Sequence, residues 1–474
     1  MVCAMRRVVL LALALLLLGS ATAQAVGPVP PLRSEGRWIT DATGRVVQLR
    51  GVNEVAKSSP YYPAAFGFGD DDARFLAEHG FNSVRLGVDF RGLMPEPGRV
   101  EHAYIEQLAG TVRELSRGGI FVLIDFHQDG FSPKYNGNGL PDWMAIDDGL
   151  PNPPDAVFPL YYIQNPAMQR AFESLWANRP GPGGIGLQDY YAQGVSAVAK
   201  RFAGSPWVLG YDLINEPFPG ARWTQCVRVT GCPELEAELF GPFNAKMTAA
   251  IRRWTRRQLV FVEPFVLFNF GVAPTSLPGA GTDNGLSFHS YAAAPAQEAA
   301  VVDFAVKAAE RDGAPLIVTE FGATTSATAL RRLTKSFDDR LVPWMFWAYN
   351  EEVIHDPAQP ASLDNLESPD GFRALVRPYP EALAGTPQSL AFDPDTKAFD
   401  LTYSTRSPKG HRTGWWLPST VHVPKLAYPD GYSVAVDGAR VISRRCSETL
   451  VLLAKPWASS VSVKVTPSTT ACAR

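Results

Sequence analysis

Val208-Leu209-Gly210-Tyr211-Asp212-Leu213-Ile214-Asn215-Glu216-Pro217 is an apolar run that stops on a carboxylate and then a proline. Pro315-Leu316-Ile317-Val318-Thr319-Glu320-Phe321-Gly322 repeats that grammar. A short β-run ending on a polar residue before Pro or Gly leaves its last side chain at the C-terminal edge of a strand. In a (β/α)8 barrel that edge carries the chemistry. Two carboxylates meeting there suit glycoside hydrolysis, one as acid and the other as nucleophile or base.

Further β-runs occur at Val46 to Val52, Ser83 to Val88, Phe121 to Phe126, Leu259 to Val262, Leu286 to His289 and Trp344 to Trp347. Segments of helical periodicity such as Asp70 to His79 and His102 to Arg117 separate them. Alternating β-runs and helices close most naturally as an α/β (β/α)8 TIM barrel over residues 24–385. Past Gly385-Thr386-Pro387 the pattern changes to half-buried strands, as in Val461, Val463 and Val465, so residues 386–474 are expected to form a small C-terminal β-sandwich. Trp415-Trp416 and Val434 to Val436 look like strands of it, with their aromatics in its core.

Residues 1–23 have the form of a secretory signal: Arg6-Arg7, an apolar core from Val8 to Leu18, then Ala21-Thr22-Ala23. A secreted, extracellular chain is expected. Without Arg6 and Arg7 the formal charge of −3 becomes −5, and no basic face invites a nucleic acid. Of five cysteines, Cys3 leaves with the signal; Cys226 with Cys232, and Cys446 with Cys472, are then expected as two local disulfides.

Three connections on the strand-end side are long: Gln128 to Ala171, Phe218 to Glu234 and Asn350 to Pro378. Loops of this length are usually functional or disordered. The first holds Trp143, Met144, Phe158, Leu160 and Tyr161, which argues for an ordered lid, with Gly139 to Ile163 lining a lipid groove.

Other polar residues share the predicted edge. Arg85 sits inside an apolar run, where an unpaired cation would be costly, and Glu320 is the best candidate partner. His127 and Asp129 end the third run, His289 and Tyr291 the sixth, and Trp347 the eighth. Singly, each reads as core packing; together on one edge they read as a site. The Asn215 amide beside Glu216 is placed to bind a sugar hydroxyl.

On these residues the chain resembles glycoside hydrolase family 5, whose early Arg, His after the third strand, Asn-Glu-Pro, His-x-Tyr, second Glu and final Trp fall on Arg85, His127, Asn215, Glu216, Pro217, His289, Tyr291, Glu320 and Trp347. Within that family it is most similar to the endoglycoceramidases, through Asp125 to Asp129, Leu160-Tyr161-Tyr162-Ile163-Gln164, Tyr211 to Phe218 and Arg377 to Pro387. The resemblance implies a retaining enzyme without cofactor or metal, with Glu216 as acid/base and Glu320 as nucleophile. It implies that Tyr291 and Arg85 hold Glu320, that His289 orients Glu216, that Trp347 stacks on the donor sugar, and that Lys57, His127 and Asp129 bind glycan hydroxyls. The implied substrate is a glycosphingolipid cut between oligosaccharide and ceramide, by a monomer in transient contact with a membrane surface or micelle. Gly130-Phe131 departs from the bulkier residue expected in glucosylceramide-cleaving members, which makes a galactose-linked ceramide credible. The rival expectations are a family 5 endo-β-glucanase or mannanase, a metal-dependent barrel hydrolase using His127, Asp129, His289 and Glu320, and a catalytically silent binding protein.

Overall fold

The computed structural model describes residues 27–154, 158–272, 284–292, 294–349 and 354–468. The signal-like segment and Cys472 lie outside them. Eight parallel strands close into a barrel: Arg50–Glu54, Ser83–Asp89, Phe121–His127, Val208–Asp212, Leu259–Val262, Gly285–Ser290, Leu316–Phe321 and Trp344–Phe346, the last pairing with the first. They are called strands one to eight below. Nearly every strand residue is buried, because the barrel interior packs one face and the surrounding helices cover the other. The helices include Asp70–Glu78, His102–Arg117, Leu187–Phe202, Pro233–Arg252, Pro295–Asp312 and Ala327–Asp339. The last is capped by Ser326, whose side chain accepts from the Ala329 N–H. Among the described residues no helix is long and apolar enough to cross a membrane.

Beside the barrel stands a two-sheet β-sandwich. Its four-stranded sheet runs Thr386–Phe392, Phe399–Ser404, Ser460–Pro467 and Tyr432–Asp437. Alternation places Leu390, Phe399, Leu401, Tyr403, Val461, Val463 and Val465 in its core. The facing sheet has seven strands, in the order Arg33–Glu35, Trp38–Thr40, Val46–Val47, Tyr379–Leu383, Ser419–His422, Thr449–Ala454 and Ala439–Val441. The chain before the barrel and the chain after it therefore share one sheet.

That sheet splits the apolar run from Val46 to Val52 into two elements. Val46 and Val47 pair with Leu383 and Ala382, whereas Arg50 begins strand one. Gln48 carries the change of partner, donating its backbone N–H to the Glu381 carbonyl. Polar Gln48 and Arg50 interrupt the run, and Gln48 stands where the sheet changes. Trp415-Trp416 likewise forms no strand: the pair lies in a turn, closed by Leu417 N–H donating to the Gly414 carbonyl, with both rings exposed.

Two of the contacts that seat the sandwich on the barrel involve buried polar side chains. Buried Asp338, on helix Ala327–Asp339, takes Arg50 of strand one at 2.5 Å and Arg377 of the link to the sandwich at 2.7 Å. At Gly80 (φ +83°) the His422 ring comes so close that a Cβ would meet its Nε2 at 2.3 Å. Only glycine permits both that backbone conformation and that approach.

Candidate active site

Arg85, on strand two and fully buried, is the hub of the barrel's C-terminal end. Its Nη1 donates to Glu320 Oε1 at 2.6 Å and to Asn53 Oδ1 at 3.2 Å. Nη2 donates to Asn215 Oδ1 and to Glu263 Oε1, both at 2.9 Å, and lies 3.0 Å from Asp125 Oδ1. Nε and Nη2 both reach Asp212 Oδ2. Burial works against the charge, but Asp125, Asp212, Glu320 and Glu263 outweigh it and hold the guanidinium firmly cationic. So many carboxylates on one cation cannot all ionise without penalty. Burial and the neighbouring Glu263 accordingly push Asp212 well above the usual carboxylate range.

Glu216 and Glu320 face each other across this hub. With His289 they form a group whose nearest atoms all lie within 4.8 Å of one another. Glu320 also accepts from the Tyr291 hydroxyl at 3.0 Å. Burial and the charge of Glu320 raise the phenol's pKa well above its ordinary value, so it stays protonated and donating. Glu216 accepts from His289 Nδ1 at 2.9 Å and from Asn269 Nδ2 at 3.0 Å. Burial raises the Glu216 pKa; the His289 bond pulls the other way, and the charge of Glu320 adds to the rise. The two carboxyls thus sit in different surroundings: Glu320 against a guanidinium and a phenol, Glu216 against an imidazole and an amide.

Glu216 has a left-handed backbone (φ 44°), which for a side chain of its size costs about 1–3 kcal/mol. Its surroundings fix it there. The Glu216 N–H donates to Glu263 Oε2 at 2.9 Å, while Gln128 Nε2 donates to the carbonyls of Asn215 and Glu216.

His289 meets Glu216 through Nδ1, and its Nε2 lies 3.2 Å from Glu263. Burial would lower its pKa, yet Glu263, Glu320 and Glu216 together raise it well above the ordinary value. A ring carrying both protons donates toward the carboxylates on either side of it. His127 and Asp129 stand outside this group, on a second chain of contacts. His127 Nδ1 lies 2.7 Å from Asp125 and Nε2 3.3 Å from Asp129. Burial opposes its charge, but Asp129 and Asp125 on either side raise its pKa to about 9. Asp129 also takes Lys57 Nζ at 2.9 Å and Asn138 Nδ2 at 2.8 Å. Despite burial, Lys57 and His127 hold it well below its ordinary value. The Trp347 ring stacks on His127 at 5.4 Å, and Lys57 Nζ stands 4.3 Å from the Trp347 ring centre.

Above these residues opens a cavity of about 550 Å³, within the range of small-ligand sites. Lys57, Asp129, Glu216, Tyr291, Glu320 and Trp347 line it, with Asn136, Asn138, Phe158, Pro159, Tyr161, Phe270 and Ala323. Arg85, His127, Asn215 and His289 lie behind its lining. Asn215 is fully buried; its amide donates to the Gln128 carbonyl and its oxygen accepts from Arg85. It therefore braces the hub through both ends of its amide. Cys226 and Cys232 are joined and pin the connection after strand four. Cys446 is also disulfide-bonded.

The apolar lid divides in two. Phe158 (52% exposed) and Tyr161 line the cavity, and Leu160 beside them is 47% exposed. Trp143 and Met144 pack on the barrel instead: the Trp143 ring meets Tyr190 edge-on at 5.0 Å and its Nε1 donates to the Met94 carbonyl. At Gly130 (φ +61°) a Cβ would strike the Tyr161 ring at 2.7 Å, so the missing side chain makes room for that tyrosine.

Glu263, absent from the residues singled out by the sequence, closes strand five and precedes Pro264 just as Glu216 precedes Pro217. Repetition of that Glu-Pro ending was the available signal. Asn53, Asp125, Asp212 and Asn269 carried no comparable mark.

The description "Cellulase (glycosyl hydrolase family 5)" matches residues 40–353, and "Glycoside hydrolase family 5 C-terminal domain" matches residues 377–466. Endoglycoceramidase I of Rhodococcus hoagii (strain 103S) is 32% identical over 462 residues, covering 92% of this chain and 88% of its own. Endo-glycoceramidase II from Rhodococcus sp., as its lactosyl-enzyme intermediate, superposes with a TM-score of 0.72 at 26% identity, over 93% of this chain and 100% of that one. Its ganglioside GM3 complex gives 0.71 at 27% identity, over 91% and 99%. A closed barrel with two glutamates at its mouth, a matched sandwich and relatives aligned nearly end to end agree: the chain is a glycoside hydrolase, belongs to glycoside hydrolase family 5 and is similar to its endoglycoceramidases.

Proposed function

We propose that this protein is a retaining endo-glycosidase that cleaves the β-glycosidic bond between the oligosaccharide and ceramide of glycosphingolipids. The observation carrying this reading is the pair Glu216 and Glu320, with atoms within 4.8 Å, beneath a cavity whose lining includes Phe158, Pro159 and Phe270. Carboxyls about 5–5.5 Å apart belong to retaining enzymes; inverting ones need room for a water between them. Glu320, held by Arg85 and Tyr291, attacks the anomeric carbon. Glu216 gives its proton to the departing ceramide oxygen. The glycosyl ester on Glu320 is then cleaved by a water that returns a proton to Glu216. Trp347, Lys57 and Asp129 hold the donor sugar. The relatives' names support the lipid-linked substrate, and the lactosyl-enzyme intermediate of the Rhodococcus sp. enzyme supports the covalent step. Residues 1–23 act as a signal for secretion. The glycine at position 130 favours a galactose-linked ceramide as a substrate.

Glu216→Ala tests the acid assignment. It should lose turnover of natural glycosides by about 10²–10⁴-fold while still forming glycosyl-enzyme from substrates whose leaving group needs no proton. Because the raised Glu216 pKa belongs to the protonated form, wild-type kcat/KM should fall as pH rises through it, at a pH above the ordinary carboxylate value of about 4.3. Equal losses of Glu216→Ala on activated and unactivated substrates would remove the assignment.

Lipid recognition is tested by comparing a ceramide-linked glycan with the same glycan on a small aryl group. Burying even three methylenes stabilises a complex by about 2.4 kcal/mol, roughly fiftyfold in binding. The ceramide substrate should therefore have the higher kcat/KM, and Phe158→Ser should narrow the gap. Equal turnover of both, with activity on soluble β-glucan or mannan, would make the protein a polysaccharide hydrolase of the same family.

A further inference from the structure

The sandwich carries an aromatic and basic face that the active site does not use. Trp415, Trp416 and Trp457 are 50%, 68% and 78% exposed, among the most solvent-facing large apolar side chains described. Trp415 and Trp457 border one surface hollow together with Arg440 and Lys455, and the Trp415 and Trp416 rings are 5.9 Å apart. Ile442, next along the chain from the Arg440 strand, is 50% exposed. Arg412 donates to the Pro456 and Ala458 carbonyls, which ties residues 405–417 to residues 453–459. Those two segments and residues 439–442 contain Arg406, Lys409, Arg412, Arg440 and Lys455 and no acidic residue. Of the flanking acids, half-buried Glu35 accepts from the Ser407 hydroxyl and from the Lys409 N–H, and exposed Asp437 accepts from the Gly438 N–H.

We infer that this face is a docking surface for an anionic lipid bilayer. Tryptophan suits the boundary between headgroups and acyl chains, having an apolar body and one polar N–H. Basic side chains beside it are drawn to acidic headgroups, each strengthening binding by about fivefold near an anionic surface. A glycan platform would present its rings as one flat stacking face, whereas Trp415 and Trp416 stand at 83° to each other. The hollow, about 210 Å³, is also smaller than the ~300 Å³ at which small-molecule sites begin. Protruding, mutually angled rings in a basic surround fit a soft interface better than a rigid ligand. The inference deepens the proposed lipid-linked activity by holding the enzyme where such a substrate resides. Its test uses no glycolipid and no turnover, so the two readings fail separately.

The full chain is sedimented with vesicles of phosphatidylcholine alone and of phosphatidylcholine mixed with phosphatidylglycerol. Wild type should bind the mixed vesicles, and Trp415→Ser/Trp416→Ser/Trp457→Ser should weaken that binding by about tenfold or more. Arg440→Ser/Lys455→Ser should weaken it on mixed vesicles and leave neutral vesicles unchanged. Trp457→Ser alone, at a site with little packing to lose, should give part of the loss at unaltered thermal stability. Hydrolysis of a soluble aryl glycoside should be unaffected by all three. Absence of vesicle binding by wild type, or equal binding by wild type and the triple variant, overturns the inference. So does binding to insoluble β-glucan that the triple variant loses, which would make the face a glycan platform.

Discussion

Glu320→Ser should abolish hydrolysis, by about a thousandfold or more, while leaving fold and substrate binding nearly intact. The proposed covalent step runs through this carboxylate; among the described residues the other carboxylates lining the cavity are engaged elsewhere, Glu216 by His289 and Asn269 and Asp129 by Lys57 and His127. Glu320 contributes little packing, so serine leaves a water-sized space bordering an existing cavity. Arg85 keeps three other carboxylates within reach and so keeps its charge balanced. Melting temperature and inhibitor binding should therefore stay near wild type while kcat collapses. A stringently purified variant within tenfold of wild-type activity would mean that the nucleophile lies elsewhere.

Arg85→Ala should act on stability as strongly as on catalysis. The guanidinium is wholly buried and touches Asp125, Asp212, Glu263 and Glu320. Its removal strands negative charge in a dry interior, where breaking a buried pair costs about 3–5 kcal/mol. Unfolding should shift to markedly lower denaturant, and the surviving protein should be inactive because Glu320 loses its shortest hydrogen bond. Arg85→Lys separates the two effects. It keeps a charge but cannot span Glu320, Asp212 and Asn215 at once, so it should recover more stability than activity. Wild-type stability of the alanine variant would show that the carboxylates do not depend on this cation.

What could be read from the amino acids followed from how burial is written in sequence. Strands enclosed on both faces are largely apolar, so seven of the barrel runs stand out as they fold, and polar residues within them, such as Arg85, or at their ends stand out against that background. Val46 to Val52 reads as one strand because all of it is covered, first by one sheet and then by another, and polar Gln48 marks the change. Trp415-Trp416 failed for a different reason: bulk suggests a core, but Gly414 and Pro418 turn the chain and leave both rings outside. In the lid, Trp143 and Phe158 have the same chemical character, and only the path of the chain separates a packing residue from a cavity wall. Glu263 closes a run of four residues, too short to draw notice to its ending, although it touches Arg85 and braces Glu216.

The sheet that joins both ends of the chain bears on how this protein is made. Arg33–Glu35, Trp38–Thr40 and Val46–Val47 leave the ribosome first, yet Val47 pairs with Ala382, which is synthesised only after the whole barrel. Throughout that interval the early hairpin has an open edge, and bare strand edges invite pairing with other chains. Contacts so distant in sequence also close slowly. A chain cut just after the barrel at residue 378 would keep that edge bare permanently, so the catalytic unit is not separable as an independent module. Chaperone demand during synthesis, and aggregation of C-terminally truncated products, follow from where one short strand finds its neighbour.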